Sequence, residues 1–482
     1  NGSSTATDSF DVTGPALDNW GADRDADNLS FLDAGGATVT TATVRLTFRN
    51  ELPDRNDVGN REAFVVGATL TAIGGSSGTA GRELFKTDGT NTDLVKNIVF
   101  VGSSNPTELT EVDGKLFFSA NDPVNSGREL WFSDGTEAGT QLVQDIRTGS
   151  DSYGNPLSGD PRELTEINNQ LFFSVVDDLK DRELWTSNGT SAATDLVKNI
   201  NTGTQDANIQ QIVEVGSRVF FVADDGINGE AVWVADPVAG TVTLAADVTG
   251  SSTDKISGLT GFNGGVAFYN DIADAIYHTD GIITTLLATE TPVDLEGVNP
   301  LFVEANGFLF LVINDATVGE ELFRIAPTGG ATLVDDLYEM GSIGSQPREL
   351  VALNNRVYFS ATDFTTGFTR GNELFSSDGT LVQLVKDINT GNTGADSSSP
   401  EQLTVSGSRL FFTADDGSSG RELWASTAFN SASLVSDIRG GSNGSDPFNL
   451  TDVNGTLYFA ANNGSNGNEP YVSDGTGAGT VM

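Results

Sequence analysis

A unit that recurs along most of the chain is the feature that most limits how this sequence can fold. Each copy contains a Pro-x-x-Leu-Thr segment, a Leu-Phe-Phe segment, a Glu-Leu-Trp segment followed by Asp-Gly-Thr, and a closing Leu-Val-x-Asp-Ile segment. The best copies cover residues 106–146, 161–200, 347–388 and 400–438. The third position of Leu-Phe-Phe is placed at Phe118, Phe173, Phe221, Phe268, Phe310, Phe359, Phe412 and Phe459. Glu-Leu-Trp-type segments begin at Glu83, Glu129, Glu183, Glu230, Asp274, Glu321, Glu373, Glu422 and Glu469. Such self-similarity is the signature of a repeat architecture.

Each unit predicts four short β-strands. Its apolar runs are short, rich in Leu, Val, Phe and Trp, and bounded by Gly, Asn, Asp and Pro. The pairs Asp113-Gly114, Asn354-Asn355 and Asn454-Gly455 suit tight hairpin turns, which need residues that tolerate positive φ. Four antiparallel strands per unit predict an all-β propeller built of four-stranded blades. We expect the space between blades to be filled by repeat positions that include Phe118, Phe173, Phe221, Phe412, Trp131, Trp185, Trp233 and Trp424.

The number of blades stays open at this point. Residues 61–482 follow the repeat, whereas residues 1–60 do not and are expected to hold a linker and one or two strands in residues 37–49. Nine Glu-Leu-Trp-type segments stand against eight of the Pro-x-x-Leu-Thr type. An eight-bladed ring closed by strands from both ends is favoured, with nine blades or an open array as alternatives. The first residue is Asn1, so the chain is expected to be a piece of a longer polypeptide.

Composition excludes several classes of function. The chain has 67 acidic and 25 basic residues and a net charge of −42, which disfavours nucleic acid and anionic membranes as partners. A single histidine, His278, leaves little room for histidine-based catalysis or zinc sites, and it occupies a drifted repeat position. The absence of cysteine removes disulfides and thiol nucleophiles. No apolar run reaches the ~18 residues that a membrane-spanning helix needs.

The string Glu129-Leu-Trp-Phe-Ser-Asp-Gly-Thr136 gives the chain a resemblance to the bacterial ELWxxDGT repeat family over about residues 61–482. That resemblance implies a secreted or cell-surface protein and no defined catalytic activity. Ala414, Asp416, Ser419, Gly420 and Trp424 have the spacing of a second motif. They resemble the tryptophan-docking motif of eight-bladed quinoprotein dehydrogenases, which implies that the Trp ring locks one blade to the next.

Aspartates follow many of the Leu-Phe-Phe segments. Asp224 and Asp225, and likewise Asp415 and Asp416, could offer carboxylate oxygens to Ca²⁺, so calcium is the one cofactor that the sequence suggests. The alternative is an Asx turn, in which the carboxylate accepts backbone N–H groups of its own loop. The Asp-Gly-Thr segments are expected to be turns as well, and the repeated glutamates are expected to pair with arginines such as Arg162 or Arg348.

Repetition without a unique site favours a non-catalytic, extracellular structural or adhesive surface protein that self-associates or contacts neighbouring surface proteins. A carbohydrate-binding propeller is one alternative, with Trp20, Tyr153 and Tyr338 as the aromatic residues that could contact glycans. A quinoprotein-like or glycan-cleaving propeller enzyme is another. The degenerate units at about residues 250–330 are where a specialised site would be sought.

Overall fold

The computed structural model describes residues 42–44, 68–70, 81–87, 92–100, 102–179, 182–202, 205–237, 240–293, 301–339, 342–365, 368–390, 396–453 and 455–482. These residues form antiparallel β-strands and one short 3-10 helix, Ser191–Ala193. No helix in them is long and apolar enough to cross a membrane. The first two strands, β1 (Ala42–Val44) and β2 (Ala68–Leu70), pair with each other.

The remaining strands form nine successive sheets, numbered here as sheets 1 to 9. Sheet 1 contains β3 (Leu84–Thr87) and β4 (Thr92–Lys96). Sheet 2 contains β5 (Thr107–Val112), β6 (Lys115–Asp122), β7 (Gly127–Ser133) and β8 (Gln141–Gln144). Sheet 3 contains β9 (Arg162–Ile167), β10 (Gln170–Val176), β11 (Arg182–Ser187) and β12 (Asp195–Lys198). Sheet 4 contains β13 (Gln210–Val215), β14 (Arg218–Asp224), β15 (Glu230–Asp236) and β16 (Thr241–Ala246).

The chain continues in the same order through the later sheets. Sheet 5 contains β17 (Ile256–Phe262), β18 (Gly265–Asn270), β19 (Ala275–Thr279) and β20 (Thr284–Ala288). Sheet 6 contains β21 (Val303–Ala305), β22 (Phe308–Asp315), β23 (Gly319–Ile325) and β24 (Ala331–Leu333). Sheet 7 contains β25 (Arg348–Leu353), β26 (Arg356–Thr365), β27 (Phe368–Ser377) and β28 (Val382–Lys386). Sheet 8 contains β29 (Glu401–Ser406), β30 (Arg409–Asp415), β31 (Arg421–Ala428) and β32 (Ser431–Ser436), and sheet 9 contains β33 (Phe448–Val453), β34 (Thr456–Asn462) and β35 (Asn468–Ser473).

Sheets 2 to 8 are complete four-stranded meanders, and each corresponds to one repeat unit. Sheet 9 has three strands, and Val481 pairs with Val472 at the place where a fourth strand would begin. The predicted hairpins are present: Asp113 and Gly114 have φ of 50° and 75°, and Asn354 and Asn355 have φ of 52° and 61°. Asn454 lies outside the described residues.

The hydrophobic core lies between the sheets. Every large apolar cluster in the described residues joins two successive sheets, such as the one that places Phe172 of sheet 3 against Phe221 and Trp233 of sheet 4. The first strands of neighbouring sheets also contact each other, from β5 and β9 through to β29 and β33. Meanders stacked face to face in this way are propeller blades, so the predicted fold class of an all-β propeller with four-stranded antiparallel blades is confirmed.

Strand pairing corrects the repeat register in the degenerate units. Leu311 pairs with Phe323 as Phe118 pairs with Trp131, so Leu311 and not Phe310 holds the third Leu-Phe-Phe position. Ala275, and not Asp274, occupies the glutamate position of sheet 5. In sheet 4 that position is Ala231, one residue after Glu230. Single-residue offsets of this kind are hard to see in a sequence because drifted strands retain only their apolar character.

Candidate functional site

The repeated glutamates at the third strands are buried, and their carboxylates make hydrogen bonds that join one repeat unit to the next. Glu129 is fully buried, and its carboxylate accepts the backbone N–H of Gly159 at 2.6 Å and of Ile146 at 3.3 Å. Gly159 and its counterparts precede the first strand of the following sheet by three residues. In other units a serine stands there, and its hydroxyl donates to the glutamate at 2.5 to 2.6 Å. The pairs are Ser104–Glu83, Ser345–Glu321, Ser398–Glu373 and Ser445–Glu422.

These contacts correct the expected pairing with arginine. Arg162 bonds to Asp160, and Arg348 bonds to Glu320. Burial raises the pKa of Glu129 to about 8 and that of Glu321 and Glu373 to about 7. Perturbed carboxyl groups can mark catalytic sites, but these are closed off and recur in unit after unit. Their position indicates a structural role, in which each carboxylate links the end of one sheet to the start of the next.

A lysine in the fourth strand of some sheets packs on the tryptophan of the next sheet. The Lys198 ammonium lies 5.1 Å from the centroid of the Trp233 ring and donates to the Val242 carbonyl at 2.8 Å. Lys386 repeats both contacts with Trp424 and with the Ala432 carbonyl. Trp131, Trp233 and Trp424 are buried and Trp185 is half-buried, while Phe118, Phe173, Phe221 and Phe412 are fully buried. These residues therefore lie between sheets, as a packing role requires.

The aspartates suggested for calcium are used by their own turns. Asp225 accepts the N–H groups of Ile227 and Asn228 at 2.9 Å, and Asp224 accepts that of Gly226. Asp415 and Asp416 bond in the same way to Gly417, Ser418 and Ser419. Within the described residues, no three Asp, Glu or His side chains are grouped as a metal site would need. Calcium binding at these turns stays a prediction from the sequence.

Large apolar side chains stand at the tips of four such turns. In each turn, a carboxylate accepts the backbone N–H of the residue two positions later. The side chain of that later residue is exposed to solvent. The pairs are Asp122–Val124 (3.1 Å), Asp151–Tyr153 (2.8 Å), Asp177–Leu179 (2.7 Å) and Asp225–Ile227 (2.9 Å). The exposed fractions of the four apolar residues are 77%, 89%, 65% and 74%. Ile272 in the corresponding hairpin of sheet 5 is 52% exposed.

The same turn carries small polar residues in later sheets. The backbone N–H groups of Thr317, Ser418 and Ser465 donate the equivalent hydrogen bond to Asp315, Asp416 and Asn463 at 2.7 to 2.9 Å. The turn therefore forms equally well with a hydroxyl side chain at its tip. An aliphatic side chain that the backbone does not require, and that water surrounds, points to a role outside the fold.

These tips lie at one end of the sheets. In an antiparallel meander, the turn between the second and third strands and the connection to the next sheet leave from the same end. A direct contact supports this, because the N–H of Thr148 in the connection after sheet 2 donates at 2.6 Å to Asp178 in the hairpin of sheet 3. We call the surface formed by Val124, Leu179 and Ile227 of the hairpins, together with Tyr153 of the connection between sheets 2 and 3, the hairpin-tip face. Sequence reasoning missed it, although the residue two positions after a turn aspartate was the available signal.

The other candidate residues do not form a comparable site. His278 lies on β19, where its Nε2 is 3.1 Å from the Phe262 carbonyl oxygen. Of the aromatic residues proposed for glycan contact, Tyr153 belongs to the hairpin-tip face and Tyr338 is half-buried. Trp20 and the predicted strands of residues 37–49 fall largely or wholly outside the described residues. A polar cleft lies between the turns at Asn306-Gly307 and Asn354-Asn355, at the opposite end of the sheets.

The sequence matches no protein-family model and no curated protein. Similar solved structures include a prolyl endopeptidase at 14% identity and a TM-score of 0.38, with 65% of this chain and 48% of that chain covered. A puromycin hydrolase is 13% identical, with a TM-score of 0.35 and coverage of 74% and 58%. The propeller domain of the Trilobed protease from Pyrococcus furiosus is 11% identical, with a TM-score of 0.36 and coverage of 77% and 95%.

The match thus spans about half of the prolyl endopeptidase chain and 58% of the puromycin hydrolase chain. These findings contradict the sequence-based prediction of a non-catalytic structural and adhesive surface protein: the similar propellers come from peptidases, and nothing among them points to adhesion. That prediction is wrong. At such low identity the likeness concerns the fold alone, and the activities of those enzymes are not carried over.

Proposed function

We propose that the chain is a recognition propeller that binds a polypeptide through its hairpin-tip face. One observation carries this proposal: the same turn presents Val124, Leu179 and Ile227 in sheets 2 to 4, but hydroxyl residues in sheets 6, 8 and 9. Exposed aliphatic side chains lose unfavourable contact with water when a partner covers them, which favours binding.

The partner's chemistry follows from what surrounds these tips. Each apolar tip residue stands two positions after a carboxylate, and Asp151 and Asp178 on the same face are exposed. A complementary surface has apolar side chains flanked by Lys or Arg. Such a segment is a basic, amphipathic stretch of polypeptide. Sugars bind best to flat aromatic side chains, and Tyr153 is the one aromatic residue among the four that define this face. The face therefore suits a polypeptide better than a sugar.

Fluorescence anisotropy with three labelled peptides of equal length tests the proposal. One peptide is built of Leu and Lys, one of Leu and Glu, and one of Ser and Lys. We expect the Leu/Lys peptide to bind with a Kd on the order of 1–10 µM and the other two at least about tenfold more weakly. Equal binding of the Ser/Lys peptide would show simple attraction between opposite charges and would overturn the proposal.

Matched variants locate the binding surface. The combination Val124→Ser, Tyr153→Ser, Leu179→Ser and Ile227→Ser should weaken Leu/Lys binding about tenfold or more, because four apolar contacts are lost. The control, Leu381→Ser with Val453→Ser, removes exposed apolar residues near the other end of the sheets, where 48% and 41% of these side chains are exposed. It should leave binding unchanged. A Tm within about 2 °C of the parent for both variants shows that the fold is intact.

Secretion, a place at the cell surface, glycan binding and calcium binding remain proposals that follow from the sequence. They are compatible with a recognition role, but that role does not depend on them.

A further inference from the structure

The outer strands of sheets 4, 5 and 6 each carry an exposed leucine, whereas the equivalent leucines of other sheets are half-buried. Leu244, Leu286 and Leu333 each pair with the aromatic residue of the third strand, namely Trp233, Tyr277 and Phe323. Their exposed fractions are 41%, 54% and 36%. The leucines at the equivalent place in four other sheets are half-buried; they are Leu142, Leu196, Leu384 and Leu434.

Two isoleucines extend this surface in the middle sheet. Ile282 and Ile283, in the turn between β19 and β20, are 87% and 61% exposed. Asp280 fixes that turn by accepting both of their N–H groups at 2.8 Å. We call Leu244, Ile282, Ile283, Leu286 and Leu333 the outer-strand patch. It lies in the degenerate units, on a different part of the blades from the hairpin-tip face.

The outer-strand patch carries no charge of its own. β16, β20 and β24 contain no Asp, Glu, Lys or Arg, and their exposed polar residues are threonines. This contrasts with the chain as a whole, whose net charge is −42. Edge strands in soluble proteins are usually protected by charged side chains, which prevent edge-to-edge contact. β16, β20 and β24 lack that protection, as β8 and β32 do, but only in sheets 4 to 6 is the leucine of the uncharged strand exposed as well.

We infer that the outer-strand patch is the interface between two copies of this chain. Two molecules that each carry a large negative charge repel one another over most of their surface. They can approach where the surface is neutral and apolar, and a two-fold interface uses the same patch on both copies. A basic partner would instead be drawn to the acidic surfaces elsewhere. Because the two surfaces share no residue, this inference and the proposed function can fail independently.

Sedimentation velocity over a range of protein and salt concentrations tests the inference. We expect a monomer–dimer equilibrium in which the dimer gains from added salt, since salt screens the repulsion between like-charged copies. Leu244→Asp combined with Leu286→Asp should give a monomer under all conditions, because four carboxylates would meet in the dimer. The matched control, Leu381→Asp with Val453→Asp, should dimerise like the parent. Thermal melting checks that both variants are folded.

Cysteine cross-linking gives a second measurement that does not weaken the interface. The chain has no cysteine, so Leu286→Cys, in the middle sheet of the patch, introduces a single thiol. Mild oxidation should produce a covalent dimer, whereas Leu381→Cys should not. A parent chain that stays monomeric at every salt concentration would overturn the inference, and so would a dimer that survives Leu244→Asp and Leu286→Asp. A monomer whose Leu286→Cys thiol resists maleimide would also overturn it, since the patch would then be covered within one molecule.

Discussion

At each hairpin tip, the backbone N–H of the tip residue donates to the side-chain oxygen two positions earlier. This backbone bond forms with an aliphatic or a hydroxyl side chain at the tip, and the Ser418 hydroxyl adds a second bond to Asp416. Ile227 and Ser418 therefore occupy equivalent places with opposite chemistry. The polar choice is the ordinary one for a turn. The aliphatic choice exposes apolar surface at no benefit to the backbone, which is why these few residues, and not the far more numerous repeated ones, are the basis of the proposed function.

The buried glutamates differ from the tip residues in the opposite sense: they are an ionisable residue type, yet they lie inside the protein and stabilise it. Glu129→Ala should lower the free energy of unfolding by about 3 kcal/mol, because the Gly159 and Ile146 N–H groups lose their acceptor in a buried place. Urea denaturation measures this. Glu137→Ala, at an exposed position eight residues later, is the control and should change the stability by less than about 0.5 kcal/mol. An equally small effect at Glu129 would contradict the bonding role.

At the scale of the element, the contact between a strand lysine and the tryptophan of the next sheet is testable. Lys198→Met keeps the length of the side chain but removes the cation over Trp233 and the donor to the Val242 carbonyl. We expect a loss of about 1–2 kcal/mol in the free energy of unfolding. Lys115→Met is the matched control, because its ammonium lies 6.0 Å from the Phe132 ring centroid and contributes less. Equal losses for both variants would argue against a specific contact between sheets.

The strands themselves were predictable, and their partners were less so. Short apolar runs and turns such as Asp113-Gly114 identify four strands per unit without any structure, because the turn chemistry is local. The partner of each glutamate was missed, since backbone N–H groups leave no trace in residue types. A recurrent Ser or Gly two positions before the next unit's proline, as at Ser345 and Ser398, was the one visible hint.

The degenerate units were the hardest to place. Leu311 retains the apolar character of its repeat position but not the residue type, and Ala275 replaces the repeated glutamate altogether, so the sequence register slipped by one residue at Phe310 and Asp274. The hairpin-tip face was missed for a different reason. The turn aspartates drew attention as calcium ligands or turn formers, whereas the residues two positions after them, such as Val124 and Ile227, did not, and the structure shows these residues to be exposed.

At the scale of the whole molecule, the buried glutamates make stability depend on pH. Burial raises the pKa of Glu129 to about 8 and that of Glu321 and Glu373 to about 7, and it also raises the pKa of Glu83 and Glu422. Between about pH 4.5 and pH 8 the folded chain holds protons that the unfolded chain has released. The stabilisation linked to these groups is therefore complete below about pH 4.5 and is lost as the pH rises through 7 to 8.

We expect the Tm to fall by several degrees between pH 5 and pH 8.5. Thermal melting in 0.5 M NaCl measures this while limiting the contribution of surface repulsion. Glu129→Gln removes one titrating group but keeps an acceptor oxygen, so its Tm should depend less steeply on pH. A Tm that rises between pH 5 and pH 8.5, or a slope unchanged in Glu129→Gln, would contradict the linkage.

Footprinting with single cysteines shows whether a bound peptide covers the hairpin-tip face. Ile227→Cys and, as the control near the other end of the sheets, Leu381→Cys each give one reactive thiol in a chain without cysteine. The measurement is the rate of maleimide labelling with and without a saturating Leu/Lys peptide. We expect about tenfold or greater protection of Ile227→Cys and no protection of Leu381→Cys. Equal labelling of Ile227→Cys with and without the peptide would contradict it.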